Sequence, residues 1–135
     1  MTWLTQITMG SLFDGIGGFP LAAVRNGITP VWASEIEAFP IEVTKLRFPG
    51  MIHVGDITKL RGAELPPVDI ICGGSPCQDL SVAGARAGLA GARSGLFMEQ
   101  MRIVRCGWQR KPVAGRASTY GRAGCVGRTV RHVPD

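Results

Sequence analysis

The sequence predicts an α/β fold, part of a doubly wound, Rossmann-like domain built on a parallel sheet. Three observations predict it. Short apolar stretches alternate with helical ones as far as about Val104, the βαβα order that buries a parallel sheet between helices. A glycine-rich turn, Asp14-Gly15-Ile16-Gly17-Gly18, joins the first strand to the first helix. Val68–Cys72 (VDIIC) is a continuous apolar run, as expected for a central strand buried on both faces.

The elements follow in order. Gln6–Phe13 reads as a strand that ends at Asp14-Gly15, and Gly18–Asn26 as a helix stopped by Gly27. Thr29–Ser34 is a second strand. Ala38–Arg47 is a second helix, halted before Phe48-Pro49-Gly50. Met51–Val54 is a brief third strand leading into Gly55-Asp56, and VDIIC is the fourth. Gly95–Arg105 is the last helix, with Leu96, Met98, Met101, Ile103 and Val104 as its apolar members. The chain thus divides into a folded portion, residues 1–104, and a tail, residues 105–135, rich in glycine and arginine, without helix or strand periodicity and expected to be poorly ordered.

With 135 residues, 45% hydrophobic and 19% charged, the chain can bury one core and is not of disordered composition. No apolar run approaches the ~20 residues of a membrane span, and the N-terminus lacks a signal-peptide pattern. A cytoplasmic protein is the expectation. The net charge of +5 is unevenly spread. Residues 1–100 carry seven Lys/Arg against nine Asp/Glu, and residues 101–135 carry eight against one. Such a tail is either a phosphate-contacting arm or a solvated segment. The four cysteines, Cys72, Cys77, Cys106 and Cys125, do not have the spacing of a zinc site, and reduced thiols are expected.

In open α/β sheets the ligand sits beyond the carboxyl ends of the strands. Asp14, Glu35, Asp56 and Pro76-Cys77 each fall just after a predicted strand, so four polar or reactive positions converge on one sheet edge. The glycine turn lets backbone approach a ligand closely, although its spacing is not the dinucleotide G-x-G-x-x-G and such turns also occur as plain connections. Glu35 is placed either to accept both hydroxyls of a ribose or as a surface acid. Asp56-Ile57 could bracket an adenine, and Gly-Asp is also an ordinary turn. Cys72, inside the strand, fits a structural cysteine. Cys77 lies past that strand in Gly73-Gly74-Ser75-Pro76-Cys77-Gln78, a rigid turn that would present a nucleophilic thiol. The glycine-rich stretch 82–95 after it reads as a loop able to close over a substrate.

LFDGIGGF, the acid of SEIE, GDI, and GGSPCQDLSVAG followed by ARSGLF together resemble the first four motifs of the DNA (cytosine-5)-methyltransferases, over about residues 8–104. The resemblance implies an S-adenosylmethionine-dependent methyltransferase fold and a methyl transfer from that cofactor to carbon 5 of cytosine in double-stranded DNA. It implies that Phe13, Asp14, Gly15, Ile16, Gly17 and Gly18 line S-adenosylmethionine and that Glu35 holds its ribose. Ile36, Asp56 and Ile57 would surround the adenine, and Pro76 and Leu96 would complete the pocket. Cys77 would attack carbon 6 of an extruded cytosine. Gln78 and Ser81 would help hold the loop and the DNA backbone, and Arg93 would contact phosphate.

The family pattern also has a Glu-Asn-Val motif, and no glutamate follows Glu99. Its later arginine motif and target-recognition region are missing as well. An incomplete enzyme, weakly active or inactive, is therefore expected, from a restriction-modification setting. The break in pattern after Val104 is what a frameshift or misread gene would leave. The alternatives are a non-catalytic S-adenosylmethionine-binding fragment, half of a split enzyme whose missing C-terminal part comes from a separate chain, or a decayed remnant.

Overall fold

Among the described residues, four short strands, β1 (Thr8–Leu12), β2 (Thr29–Ser34), β3 (Ile52–His53) and β4 (Ile70–Gly73), form one wholly parallel sheet in the order β3-β2-β1-β4. A computed structural model describes residues 6–76 and 92–110 of the chain. In chain order these are β1 (Thr8–Leu12), α1 (Gly18–Arg25), β2 (Thr29–Ser34), α2 (Ala38–Arg47), β3 (Ile52–His53), β4 (Ile70–Gly73) and α3 (Ala92–Arg110). The α/β class and the parallel sheet predicted from the sequence are both present.

Local chemistry sets the boundaries. Helix α1 ends where Gly27 takes φ of 70°, letting the Ile28 N–H turn back onto the Ala23 carbonyl at 2.9 Å. Thr29 N–H then donates to the Ile7 carbonyl, and β2 is in register beside β1. At the start of β4, Asp69 Oδ2 accepts from both the backbone N–H and the hydroxyl of Thr8, each at 2.8 Å, which pins β4 against β1.

Residues paired across parallel strands point to the same face. Gly10 pairs with Trp32 on one side and Ile71 on the other, and this face carries the core of Leu12, Trp32, Ile57, Leu65, Val68 and Ile103. Helix α3 covers it through Ile103 and through Gly107, which sits against the Ile71 side chain. The indole of Trp32 lies directly over Gly10, where an added Cβ would stand 2.2 Å from Cζ2. Only 1% of Trp32 is exposed, and burying an aromatic of that size contributes about 4–6 kcal/mol of transfer free energy as an upper bound. Its Nε1–H donates to the Pro66 carbonyl at 3.0 Å, so the loop between β3 and β4 is fixed over the core. The opposite face presents Ser11, Ala33 and His53. Helix α2 lies there, with Thr44 Oγ1 3.4 Å from His53 Nε2.

Three expectations change. The VDIIC strand is not central among the described residues: β4 is at the sheet edge, and nothing described pairs with its far side. Ile70 is exposed and Ile71 and Cys72 are half-buried for that reason. Helix α3 runs past the predicted Arg105 to Arg110, because Cys106 is buried and Gly107 packs on the sheet, so its last turns still have a face to cover. Cys72 is a free thiol, but Cys106 is disulfide-bonded, where reduced thiols were expected. No helix among the described residues is long and apolar enough to cross a membrane.

Candidate functional site

Three residues of left-handed backbone shape the turn between β1 and α1. Phe13, Gly15 and Gly17 have φ of 53°, 58° and 91°, alternating with ordinary residues. A phenylalanine there is strained. It is held because the Asp14 N–H donates to the Ser34 carbonyl at 3.1 Å and the Gly15 N–H to Glu35 Oε2 at 2.8 Å. The turn is thus laced to the end of β2. Gly17 is the N-cap of α1 and offers no side chain to its first amides, and the first turn of the helix contains no acid. An added Cβ on Gly17 would meet Thr44 Cγ2 at 2.8 Å and Phe48 Cε2 at 3.0 Å, so α1 starts hard against α2.

Glu35 is a pinned carboxylate. Besides Gly15, its Oε1 accepts from the backbone N–H of Ile36 at 2.8 Å and of Glu37 at 3.1 Å. The side chain cannot swing away, and Oε2, which accepts a single bond, keeps a lone pair for a ligand hydroxyl. Asp56 follows Gly55, whose carbonyl accepts from Ser34 Oγ at 2.6 Å. Asp56 Oδ1 accepts from the backbone N–H and the hydroxyl of Thr58, and these two bonds, with Lys59 nearby, hold its carboxyl below the usual range. It is ionised at neutral pH.

Asp14 is different. It is 4% exposed, its Oδ1 accepts from Ser11 Oγ at 2.6 Å, and its Oδ2 is buried with no partner among the described residues. Burial pushes its carboxyl up, outweighing the Ser11 hydrogen bond and the nearby His53 ring. Burial, and the charge of Asp14, also push the Cys72 thiol up, which disfavours thiolate in the strand.

A cleft of about 280 Å³ opens at the carboxyl end of the sheet. It is lined by Phe13, Ser34, Glu35, Ile36, Glu37, Asp56, Ile57, Pro76 and Leu96. The structure therefore brings together Phe13, Glu35, Ile36, Asp56, Ile57, Pro76 and Leu96, drawn from five separate stretches of chain. It does not bring Asp14, Gly15, Ile16, Gly17 or Gly18 into the lining; Asp14 turns inward, and the glycines shape the turn behind Phe13. Cys77, Gln78 and Ser81 lie outside the described residues, as does the side chain of Arg93, but Pro76, the residue before Cys77, is at the cleft.

Sequence reasoning missed Ser34 and Glu37. The signal was present in the second acid of Ser34-Glu35-Ile36-Glu37, which is the N-cap of α2. It also missed Arg102, whose guanidinium reaches the loop after β3 from α3 and for which no local pattern gave a sign.

A parallel sheet whose carboxyl ends converge on a glycine turn, a pinned acid and an aspartate turn has the Rossmann-like α/β architecture of the methyltransferase class. Comparison with known proteins makes the assignment particular. The sequence profile of C-5 cytosine-specific DNA methylases matches residues 7–109, and the chain belongs to that family. It is 38% identical over 109 residues to the type II methyltransferase M.HhaI of Haemophilus parahaemolyticus, covering 81% of this chain and 32% of that protein. It is 39% identical over 94 residues to the type II methyltransferase M2.BsuMI of Bacillus subtilis, covering 70% and 24%. Among solved structures it resembles a putative DNA modification methyltransferase encoded within a prophage of E. coli. The TM-score is 0.59 at 31% identity, over 73% of this chain and 28% of that one. The chain thus spans about a third or less of the length of these relatives.

Proposed function

We propose that this chain supplies the S-adenosylmethionine site and the nucleophilic thiol of a DNA (cytosine-5)-methyltransferase. The observation that carries the cofactor assignment is the charge of the cleft. Three carboxylates, Glu35, Glu37 and Asp56, line it beside apolar Phe13, Ile36, Ile57 and Leu96, and no basic residue is among its described lining. A phosphate-bearing dinucleotide would be repelled there, whereas a cationic sulfonium ligand is favoured. The volume is near the low end of the ~300–1,000 Å³ of small-molecule pockets, which suits a nucleoside with a short side chain.

S-Adenosylmethionine, when bound, supplies an electrophilic methyl group. Glu35, fixed by three backbone N–H groups, would accept from a ribose hydroxyl through Oε2. Asp56, kept ionised by Thr58, accepts from the adenine amino group, while Ile57, Ile36 and Leu96 pack on the ring. Cys77 is the nucleophile toward carbon 6 of a cytosine taken out of the duplex, which raises electron density at carbon 5. Pro76 puts the start of that segment at the cleft. Reading the DNA sequence is assigned to regions outside the matched stretch, on the same polypeptide or on a separate chain, since that stretch covers only 32% and 24% of these relatives.

Isothermal titration of the purified chain with S-adenosylmethionine tests the cofactor assignment. Saturable binding is expected, weakened at least tenfold by Glu35→Ala in a chain whose circular dichroism is unchanged. A well-folded chain that takes up no S-adenosylmethionine refutes it.

A further inference from the structure

The two long walls of the cleft come from distant parts of the chain: Asp56 and Ile57 from the loop after β3, and Leu96 from α3. Their separation has to be set by something other than chain connectivity. Arg102 lies on α3 about 9 Å along the helix from Leu96, at 1.5 Å per residue. Its side chain is 16% exposed. Nη2–H donates to the Ile57 carbonyl at 3.0 Å and Nη1–H to the Leu60 carbonyl at 2.8 Å. Nε–H donates to Glu99 Oε2 at 2.7 Å, one helical turn back, which fixes the plane of the guanidinium.

The carbonyls it holds lie on the α3 side of a turn whose start is tied by the Thr58 bonds to Asp56 but whose end is held less tightly. The Leu60 N–H reaches the Ile57 carbonyl at only 3.3 Å, and the Lys59 N–H reaches the Asp56 carbonyl at 3.0 Å. A charged fork with two carbonyls in one plane is geometry that arginine provides and lysine does not. Glu99 neutralises the charge, so the cation is not stranded at low exposure.

We propose that Arg102 is a positioning residue of the cleft: its fork on the Ile57 and Leu60 carbonyls sets the distance between the Asp56–Ile57 wall and the α3 wall, and thereby the affinity for the adenosine part of the cofactor. The affinity clause rests on the cofactor reading above; the positioning clause does not.

The experiment has two arms, both on the full chain with Arg102→Met and Arg102→Lys. In the first, amide hydrogen exchange is followed without ligand. Residues 57–60 are expected to exchange at least tenfold faster in Arg102→Met, with β1 and β2 unchanged and Arg102→Lys intermediate. Unchanged exchange at 57–60, or equal acceleration of every segment, overturns the proposal, the latter because it marks a general loss of stability. In the second arm the dissociation constant for S-adenosylmethionine is expected to rise about tenfold in Arg102→Met and less in Arg102→Lys. Local loosening with unchanged affinity overturns the role in binding. A wild-type chain that binds nothing refutes the cofactor reading instead, and the exchange arm still decides whether Arg102 holds the wall.

Discussion

Replacing Gly17 by alanine tests the geometry of the turn behind the cleft. Two independent costs are expected. At φ of 91° a Cβ carries a left-handed penalty of about 1–2 kcal/mol. The same Cβ would also stand 2.8 Å from Thr44 Cγ2 and 3.0 Å from Phe48 Cε2, and such overpacking costs about 1–3 kcal/mol. The sum, about 2–5 kcal/mol, is a large part of a small domain's stability. Gly15 is the internal control: its φ is 58° but a Cβ there meets nothing within 4 Å, so Gly15→Ala should carry the backbone penalty alone. Thr44→Ser separates the terms further. It removes the clashing methyl while keeping the hydroxyl that donates to the Pro40 and Ile41 carbonyls. Urea unfolding followed by circular dichroism measures all four variants. Gly17→Ala should lose about 1–3 kcal/mol more than Gly15→Ala, and part of that difference should vanish in the Thr44→Ser background. Equal losses at Gly15 and Gly17, or a Gly17→Ala cost indifferent to Thr44, would refute the packing of α1 on α2.

The remaining predictions concern pH and packing. Asp14 has a folded pKa raised above its ordinary 3.8, so the folded state binds more protons than the unfolded one between those two values. Its contribution therefore favours folding below the ordinary value and is lost as pH rises through the folded one. Asp14→Asn, which can still accept from Ser11 Oγ, should make the melting temperature fall less steeply as pH is raised from 4 toward 8; an unaltered slope would sink the assignment of the buried carboxyl. Ile103→Ala should cost about 2–5 kcal/mol in urea unfolding, because the side chain is 1% exposed in the core under α3. A cost under about 1 kcal/mol, the scale of a surface substitution, would mean that α3 does not cover this face of the sheet.

Much of the fold was legible because its signals are local. Thr29–Ser34 and Ala38–Arg47 have in the structure the bounds their sequence predicts, with Gly27 closing the helix before the strand and Phe48-Pro49-Gly50 stopping the second helix. Gly18 opens α1 as expected, and the turn before it was visible in its glycines. The positive φ of Phe13 was not, because it is imposed by hydrogen bonds from Asp14 and Gly15 to the end of β2, in a different stretch of chain. The edge place of β4 was equally hidden: VDIIC has the composition of a strand with two neighbours, and composition cannot say whether both are present among the described residues. Within the cleft, the acids at strand ends could be read from periodicity alone. That Asp14 turns inward while Glu37 reaches the cleft depends on side-chain rotamers and on Ser11, which no spacing rule encodes. The Arg102 fork joins residues more than forty positions apart, and its meaning exists only in three dimensions.

The cleft draws on Phe13, Ser34–Glu37, Asp56–Ile57, Pro76 and Leu96, so no short segment carries it. Every wall depends on parallel pairings, which are non-local and among the slower contacts to form. A ligand that fits it has no counterpart site in the unfolded chain, and mass action then raises stability by about 2.7 kcal/mol at a concentration one hundred times the dissociation constant. A proteolytic piece ending after β3 would keep both Glu35 and Asp56 yet lack Pro76 and Leu96. The cleft is thus a product of the whole sheet, and a nascent chain completes it only once α3 has docked and brought Leu96 into place.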